Sequence, residues 1–167
     1  MCIAQENKGR RGAIHAAANC LIPLICAIGW KVTGVSLWQL AYTAAFATAL
    51  ADTVSSELGQ AFGGTTVLVT SFRHVPVGTE GAVSLEGTLL GLTAVVILGA
   101  LAAAFRFTTS YVAVLPVAVG ALIGMLGESY LARVVNTKGL GNELANVFNT
   151  AVGAAIAATI GGVFFGV

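Results

Sequence analysis

Long apolar runs broken by short polar pieces dominate the chain. Five runs reach the roughly 20 mostly apolar residues that a helix needs to cross a bilayer, at about 13–30, 37–58, 86–105, 110–132 and 143–166. The pieces between them are turn-like or polar, and the one after the second run, 59–85, is long. None of the runs shows the strict alternation of an outer-membrane strand. The pattern therefore predicts an all-α membrane protein, a polytopic bundle of about five transmembrane helices with one long polar loop, forming a single domain over 1–167. Small residues four apart, Gly87 with Gly91, Gly120 with Gly124 and Gly153 with Ala157, are spaced for close helix contact in lipid.

Composition points the same way. Hydrophobic residues make up 57% of 167 positions and charged residues 9%, against roughly a quarter charged in soluble domains. A soluble chain of this size has too much surface relative to volume to hide that apolar content. The net charge of +1 offers no basic surface for nucleic acid. Cys2, Cys20 and Cys26 are odd in number and lack metal-type spacing. Lys8, Arg10 and Arg11 before an apolar run imitate a cleavable signal peptide, but further spanning runs follow, so the first run is expected to stay as a helix.

Basic residues set the expected orientation. Lys8, Arg10, Arg11, Arg73, Arg133 and Lys138 fall on one side, with only Lys31 and Arg106 on the other. The N-terminus is thereby expected on the positive, cytoplasmic or stromal, side. The long loop and the fourth connection share that side, and so do the acids: Glu6, Asp52, Glu57, Glu80, Glu86, Glu128 and Glu143.

Ionisable groups are expensive within a membrane and tend to be functional or paired. Thr48, Asp52, Ser55, Ser56 and Gly59 recur at helical spacing and make a hydroxyl-rich stripe around a carboxylate. Such a stripe suits a hard cation such as Mg²⁺, and a helix end solvated at the headgroups is the plainer alternative. The long loop carries Arg73, Gly78, Thr79, Gly81 and Ser84 ahead of Glu86. Its glycines allow backbone amides to cradle an anion, and the Arg73 fork suits phosphate oxygens. The P-loop pattern is absent. Further on, Glu128 precedes the fourth connection, and Asn142, Asn146 and Asn149 stand at i, i+4 and i+7 of the last run. That stripe serves either as helix-to-helix glue or as part of a site. His15 reads as an interfacial residue, and His74 beside Arg73 fixes nothing alone.

At these motifs the chain resembles a known group. Asp52-Thr53-Val54-Ser55-Ser56-Glu57-Leu58-Gly59, the block from Val75 to Thr88, Gly127-Glu128-Ser129, and the block from Gly141 to Thr150 are similar, in order and spacing, to the motifs of the DUF92/TMEM19 membrane family. The block from Ser84 to Thr88 is also distantly similar to one in the polyprenol and dolichol kinases. Members include the phytyl-phosphate kinase of plants and cyanobacteria. The resemblance implies a prenyl-phosphate kinase that converts an isoprenyl monophosphate to the diphosphate for tocopherol-type synthesis. It implies a nucleoside triphosphate (CTP or another) as donor, with Mg²⁺. The family usually carries further hydrophobic segments before Lys8 to Arg11, and if these complete a lipid groove the chain would need them or a second copy in a homo-oligomer.

The reading that follows assigns Asp52, Glu57 and Glu86 to the metal, and those three with Asn146 to catalysis. Arg73, Gly78, Thr79, Gly81, Ser84, Glu128, Asn142 and Asn149 are assigned to substrate and phosphate. The expected partners are an isoprenyl phosphate lipid, a nucleotide and membrane lipids. A small ion-coupled transporter and a structural subunit of a membrane complex are the alternatives. A transporter would place its acids near the midplane, whereas this chain places them at one end.

Overall fold

The structure is a computed structural model, and it describes residues 13–108, 110–134 and 141–166, with the backbone alone at 134, 141 and 142. The elements run in order α1 (Ala13–Thr33), α2 (Leu37–Phe62), β1 (Thr66–Leu68), β2 (His74–Val75), β3 (Ala82–Ser84), α3 (Leu85–Ala104), α4 (Val114–Val134) and α5 (Gly141–Ile160). One 3₁₀ turn, Tyr111–Ala113, leads into α4, and a wider π turn, Gly161–Phe165, closes α5. The five-helix expectation holds.

Among the described residues, four segments are long and apolar enough to cross a membrane: Ala13–Thr33, Leu85–Ala104, Tyr111–Arg133 and Glu143–Phe165. The fifth helix differs in kind. α2 has 26 residues, about 39 Å at ~1.5 Å per residue, and packs against each of the other four helices. Its buried positions are mostly alanine and threonine: Ala41, Thr43, Ala44, Ala45, Ala47, Thr48 and Ala51. A helix enclosed by others meets little lipid, so its second half can carry Asp52, Thr53, Ser55 and Ser56 half-buried, with Glu57 exposed near its polar end. The core around it is formed by Leu40, Ala44, Ala47 and Ala51 with Val95, Val117, Ala121, Met125 and Ala157.

The small residues set how closely the helices cross. A Cβ on Gly87 of α3 would lie 2.5 Å from the Ser55 carbonyl oxygen and 2.9 Å from the Gly59 Cα on α2. One on Gly91 would lie 2.9 Å from the Ala51 carbonyl oxygen. α4 meets α5 the same way, since a Cβ on Gly124 would lie 2.6 Å from the Asn149 carbonyl oxygen. In the absence of a hydrophobic drive between helices in lipid, such backbone approach supplies the packing.

The long connection departs from expectation. In place of a glycine-rich loop, it folds into a three-stranded antiparallel sheet in the order β2-β1-β3. Thr66 pairs with Val75 on one side and with Ser84 on the other. Strands of two or three residues are too short to leave an alternating pattern in the sequence. Ser84 then ends the sheet and begins α3, its hydroxyl accepting from the Gly87 N–H at 3.1 Å. Glu86 in the same first turn suits the positive end of the helix dipole.

Chain direction alternates from helix to helix, and the contacts fix which ends meet. His15 at the start of α1 lies 3.6 Å from Glu143 at the start of α5. Gly81 packs on Ser129 and Arg133 near the end of α4. At the other end Trp30 and Tyr42 stack on Phe107, with ring centres 6.1 Å and 5.1 Å away. The end of α2, the sheet, the starts of α3 and α5 and the end of α4 therefore lie together, and so do Asp52, Glu57, Glu80, Glu86, Glu128 and Glu143. Glu6 lies outside the described residues.

Candidate functional site

At that polar end a cavity of about 230 Å³ opens between α2, the sheet and α4. Asp52, Ser55, Ser56 and Gly59 line it from α2. At ~100° per residue these four fall within about 100° of arc, one face of the helix. Gly78, Thr79, Glu80 and Gly81 line it from the loop between β2 and β3, and Thr88 joins from α3. Glu128, Ser129 and Ala132 close the α4 wall. The stripe from Asp52 through Ser55 and Ser56 to Gly59 thus does face a shared space, whereas Thr48 is buried against Gly124 and Gly153 outside it; Asp52, Gly78, Thr79, Gly81, Ser84 and Glu128 come together as expected.

Other residues of the expected site do not reach it. Glu57 is exposed and lies outside the cavity wall. Five residues beyond Asp52 on one helix, it projects about 140° away. Glu86 is likewise exposed and outside the wall. It stands about 200° around α3 from Thr88, which does line the cavity. The expected metal set of Asp52, Glu57 and Glu86 is therefore not assembled. Among the described residues, no three His, Cys, Asp or Glu side chains form a group that could hold an ion.

Arg73 is exposed in the turn between β1 and β2 and does not line the cavity. The Leu68 carbonyl accepts from the Phe72 N–H at 2.8 Å and the Leu68 N–H donates to the Arg73 carbonyl at 3.0 Å, which folds that turn back on its own strand. A different base is near the wall. Gly81, with φ of +75°, sits so tightly on α4 that a Cβ there would be 3.0 Å from the Arg133 Cβ.

Two expected phosphate contacts are engaged in local structure. Thr79 donates its hydroxyl to the Pro76 carbonyl at 2.6 Å, and its N–H points to the same oxygen at 3.2 Å. Ser84 is buried with its hydroxyl capping α3. Both line the cavity, but they stiffen its wall first.

The asparagine stripe divides. Asn149 is completely enclosed, and its Nδ2 donates to Oε2 of Glu128. It does not line the cavity but lies behind a residue that does. Asn146 is half-buried and outside the wall, its carbonyl accepting from the Thr150 hydroxyl at 2.8 Å. The Asn142 side chain lies outside the described residues. Glu143 meets His15 on the α1–α5 seam instead.

Among the described residues the lining holds three carboxylates, Asp52, Glu80 and Glu128, several hydroxyls and no Lys or Arg. Gln60, Thr66, Glu80, Thr88 and Ser129 also line the cavity, and the sequence-based assignment omitted them. Ser129 adjoins Glu128 and Thr88 lies one helical turn after Ser84, so both had a sequence signal. Thr66 had none, since a three-residue strand gives no face to read.

The chain matches a family described as integral membrane protein DUF92 over residues 1–164. It is 37% identical over 164 residues to the chloroplastic protein VTE6 of Arabidopsis thaliana, covering 93% of this chain and 49% of that protein. An uncharacterized membrane protein of Synechocystis sp. is 38% identical over 161 residues, covering 93% of this chain and 62% of its own length. Another from Methanocaldococcus jannaschii is 32% identical over 151 residues, covering 90% and 62%. The chain thus spans between 49% and 62% of the length of these curated relatives. No solved structure matches it.

Proposed function

The chain belongs to the DUF92 family of integral membrane proteins, and from that premise we propose that it phosphorylates an isoprenyl monophosphate of the phytyl type to the diphosphate, using a nucleoside triphosphate and Mg²⁺. One observation carries the reading: an oxygen-rich cavity that, among the described residues, is lined by three carboxylates and by neither Lys nor Arg. Such a cavity repels a bare phosphate and accepts one only together with a cation. Mg²⁺ takes one or two carboxylates, keeps waters and shares the rest of its shell with substrate phosphates. A pair of carboxylates from neighbouring helices fits that demand better than a three-acid cage would. Asp52 on α2 and Glu128 on α4 are the residues that would hold the ion, which supplies charge neutralisation for phosphoryl transfer.

The motif resemblance to the phytyl-phosphate kinase, together with the similarity to VTE6, supports the isoprenoid class of substrate. The reaction needs one bond made and one broken. An oxygen of the lipid monophosphate attacks the γ-phosphorus, the bond to the bridging oxygen breaks, and the nucleoside diphosphate leaves. Most of the catalytic work is positioning. The Gly78–Gly81 turn, seated on α4, covers the phosphates and keeps bulk water away. Ser55 and Ser56 offer hydroxyls along the wall, and Arg133 replaces Arg73 as the fork for phosphate oxygens at the mouth. At about 230 Å³ the cavity lies below the ~300–1,000 Å³ of drug-sized sites. It holds the reacting groups, and the prenyl tail lies outside along exposed apolar positions such as Leu89 and Ile123. The cavity end faces the cytoplasm or stroma, where the nucleotide is.

The test is turnover by purified protein in detergent, with phytyl or geranylgeranyl monophosphate, a panel of nucleotides and Mg²⁺. Formation of the diphosphate that requires both nucleotide and Mg²⁺, and that Asp52→Asn abolishes, is expected. Full activity in Asp52→Asn, or folded protein that consumes no nucleotide with any of these lipids, overturns the assignment. Ion flux across liposomes without nucleotide consumption would point instead to a transporter.

A further inference from the structure

Asn149 is 0% exposed where α2, α4 and α5 meet, yet it carries a polar side chain. Its Nδ2 donates to Oε2 of Glu128, while its Oδ1 has no hydrogen-bond partner among the described residues. An unmet buried acceptor is costly, and one that persists calls for an explanation other than packing. Helix-to-helix glue would engage both ends of the amide. Here only the end aimed at Glu128 is engaged.

The surrounding small residues hold the amide in place. A Cβ on Gly124 would lie 2.6 Å from the Asn149 carbonyl oxygen and 2.7 Å from Cγ2 of Thr48. Gly153, one turn further along α5, abuts Thr48 as well. α2, α4 and α5 therefore meet at backbone distance just beside Asn149, which leaves the amide little freedom to turn. Glu128 lines the cavity that also holds Asp52, whereas Asn149 does not.

We propose that Asn149 is a positioning residue for the cavity. It anchors one carboxylate oxygen of Glu128 from inside the bundle and so presents the other oxygen toward Asp52, where the two acids share a divalent cation. Asn149 itself touches neither cation nor phosphate. This inference rests on the cation reading of the same cavity. It also reassigns Asn149 from substrate contact to support of Glu128, the kind of outer partner whose loss weakens metal affinity by roughly 10–100-fold.

The experiment measures Mn²⁺ binding to purified protein in detergent by the electron paramagnetic resonance signal of the free ion, with the thermal midpoint as a check on folding. Asn149→Leu removes the donor while keeping the same branching and is expected to weaken Mn²⁺ binding by about tenfold or more. Asn149→Ala, smaller and also without a donor, gives the same information should leucine not pack. In a Glu128→Gln background the added change at Asn149 should have little further effect, because a positioning residue has nothing left to position. Absence of Mn²⁺ binding by the unsubstituted protein overturns the cation reading beneath this proposal. Binding that the Asn149 variants leave unchanged, or weaken equally with and without Glu128→Gln, overturns the positioning role alone.

Discussion

Two glycines with nearly the same backbone twist allow the role of the β2–β3 loop to be separated from its conformational cost. Gly34, between α1 and α2, has φ of +67°, and a Cβ there would meet nothing within 4 Å. Gly81 has φ of +75°, and a Cβ there would be 2.7 Å from the Ser129 carbonyl oxygen and 3.0 Å from the Arg133 Cβ. Alanine at either position incurs the left-handed backbone penalty of about 1–2 kcal/mol. Only at Gly81 does it also collide with α4. If the loop held its place, overpacking would add about 1–3 kcal/mol. A loop joining a two-residue strand to a three-residue strand is easier to move than a helix, so part of that cost should appear as displacement. The loop would rise off α4 and the cavity would open. Gly34→Ala should therefore lower the thermal midpoint in detergent and leave kcat/KM near its original value. Gly81→Ala should lower the midpoint at least as much and reduce kcat/KM by about tenfold or more, the ~1.4 kcal/mol per decade that misplaced phosphates readily lose. Equal kcat/KM in the two variants would refute the idea that seating this loop on α4 builds the site.

The remaining expectations concern which charges matter. Arg133→Ala should raise KM for the nucleotide or the lipid phosphate several-fold, and Arg73→Ala should not, as read from steady-state kinetics of the two variants. Glu57→Gln and Glu86→Gln should preserve the Mg²⁺ dependence of turnover, because both acids point away from the cavity. A cysteine placed at Thr70, in the exposed β1–β2 turn, on a background lacking Cys2, Cys20 and Cys26, should react with an impermeant thiol reagent only from the cytoplasmic or stromal side. Labelling from the opposite side would invert the orientation drawn from the basic residues.

How much of this was legible in the sequence depended on length scale. Helices of twenty residues announce themselves by composition alone, and the bounds differ from expectation mainly where a polar residue can still sit in a terminal turn. α1 runs past Lys31 to Thr33, where the hydroxyl of Thr33 donates to the Gly29 carbonyl at 2.7 Å before Gly34 turns the chain. α2 runs on to Phe62 until the Gly63 N–H caps the Gly59 carbonyl at 2.9 Å. The sheet was invisible because pairing between distant short strands, not local periodicity, creates it. For the site, the helical stripe from Asp52 through Ser55 and Ser56 to Gly59 was readable because spacing on one helix fixes one face, although Thr48 at the same spacing packs against α4 and α5 instead. The acids assigned by proximity in sequence were not. Glu57 follows Asp52 closely and Glu86 precedes Thr88 by two residues, yet a helix turns neighbours away from each other as surely as it aligns residues three and four apart.

That same geometry explains why the polar helix is the central one. Charged groups in a membrane must meet water or partners, and a helix on the outside of a bundle would present Asp52 to lipid on some part of its circumference. α2 avoids this because four apolar neighbours cover it while glycines at 87, 91, 124 and 153 let them approach closely. At its polar end α2 faces the cavity that opens between it, the sheet and α4, beneath the loop that Gly81 seats on α4. The acids Asp52 of α2 and Glu128 of α4 therefore line one shared opening. Adding bulk at Gly87 or Gly91 should do more than weaken packing: by separating α3 from α2 it would expose the Asp52 wall to lipid and cost the site its isolation.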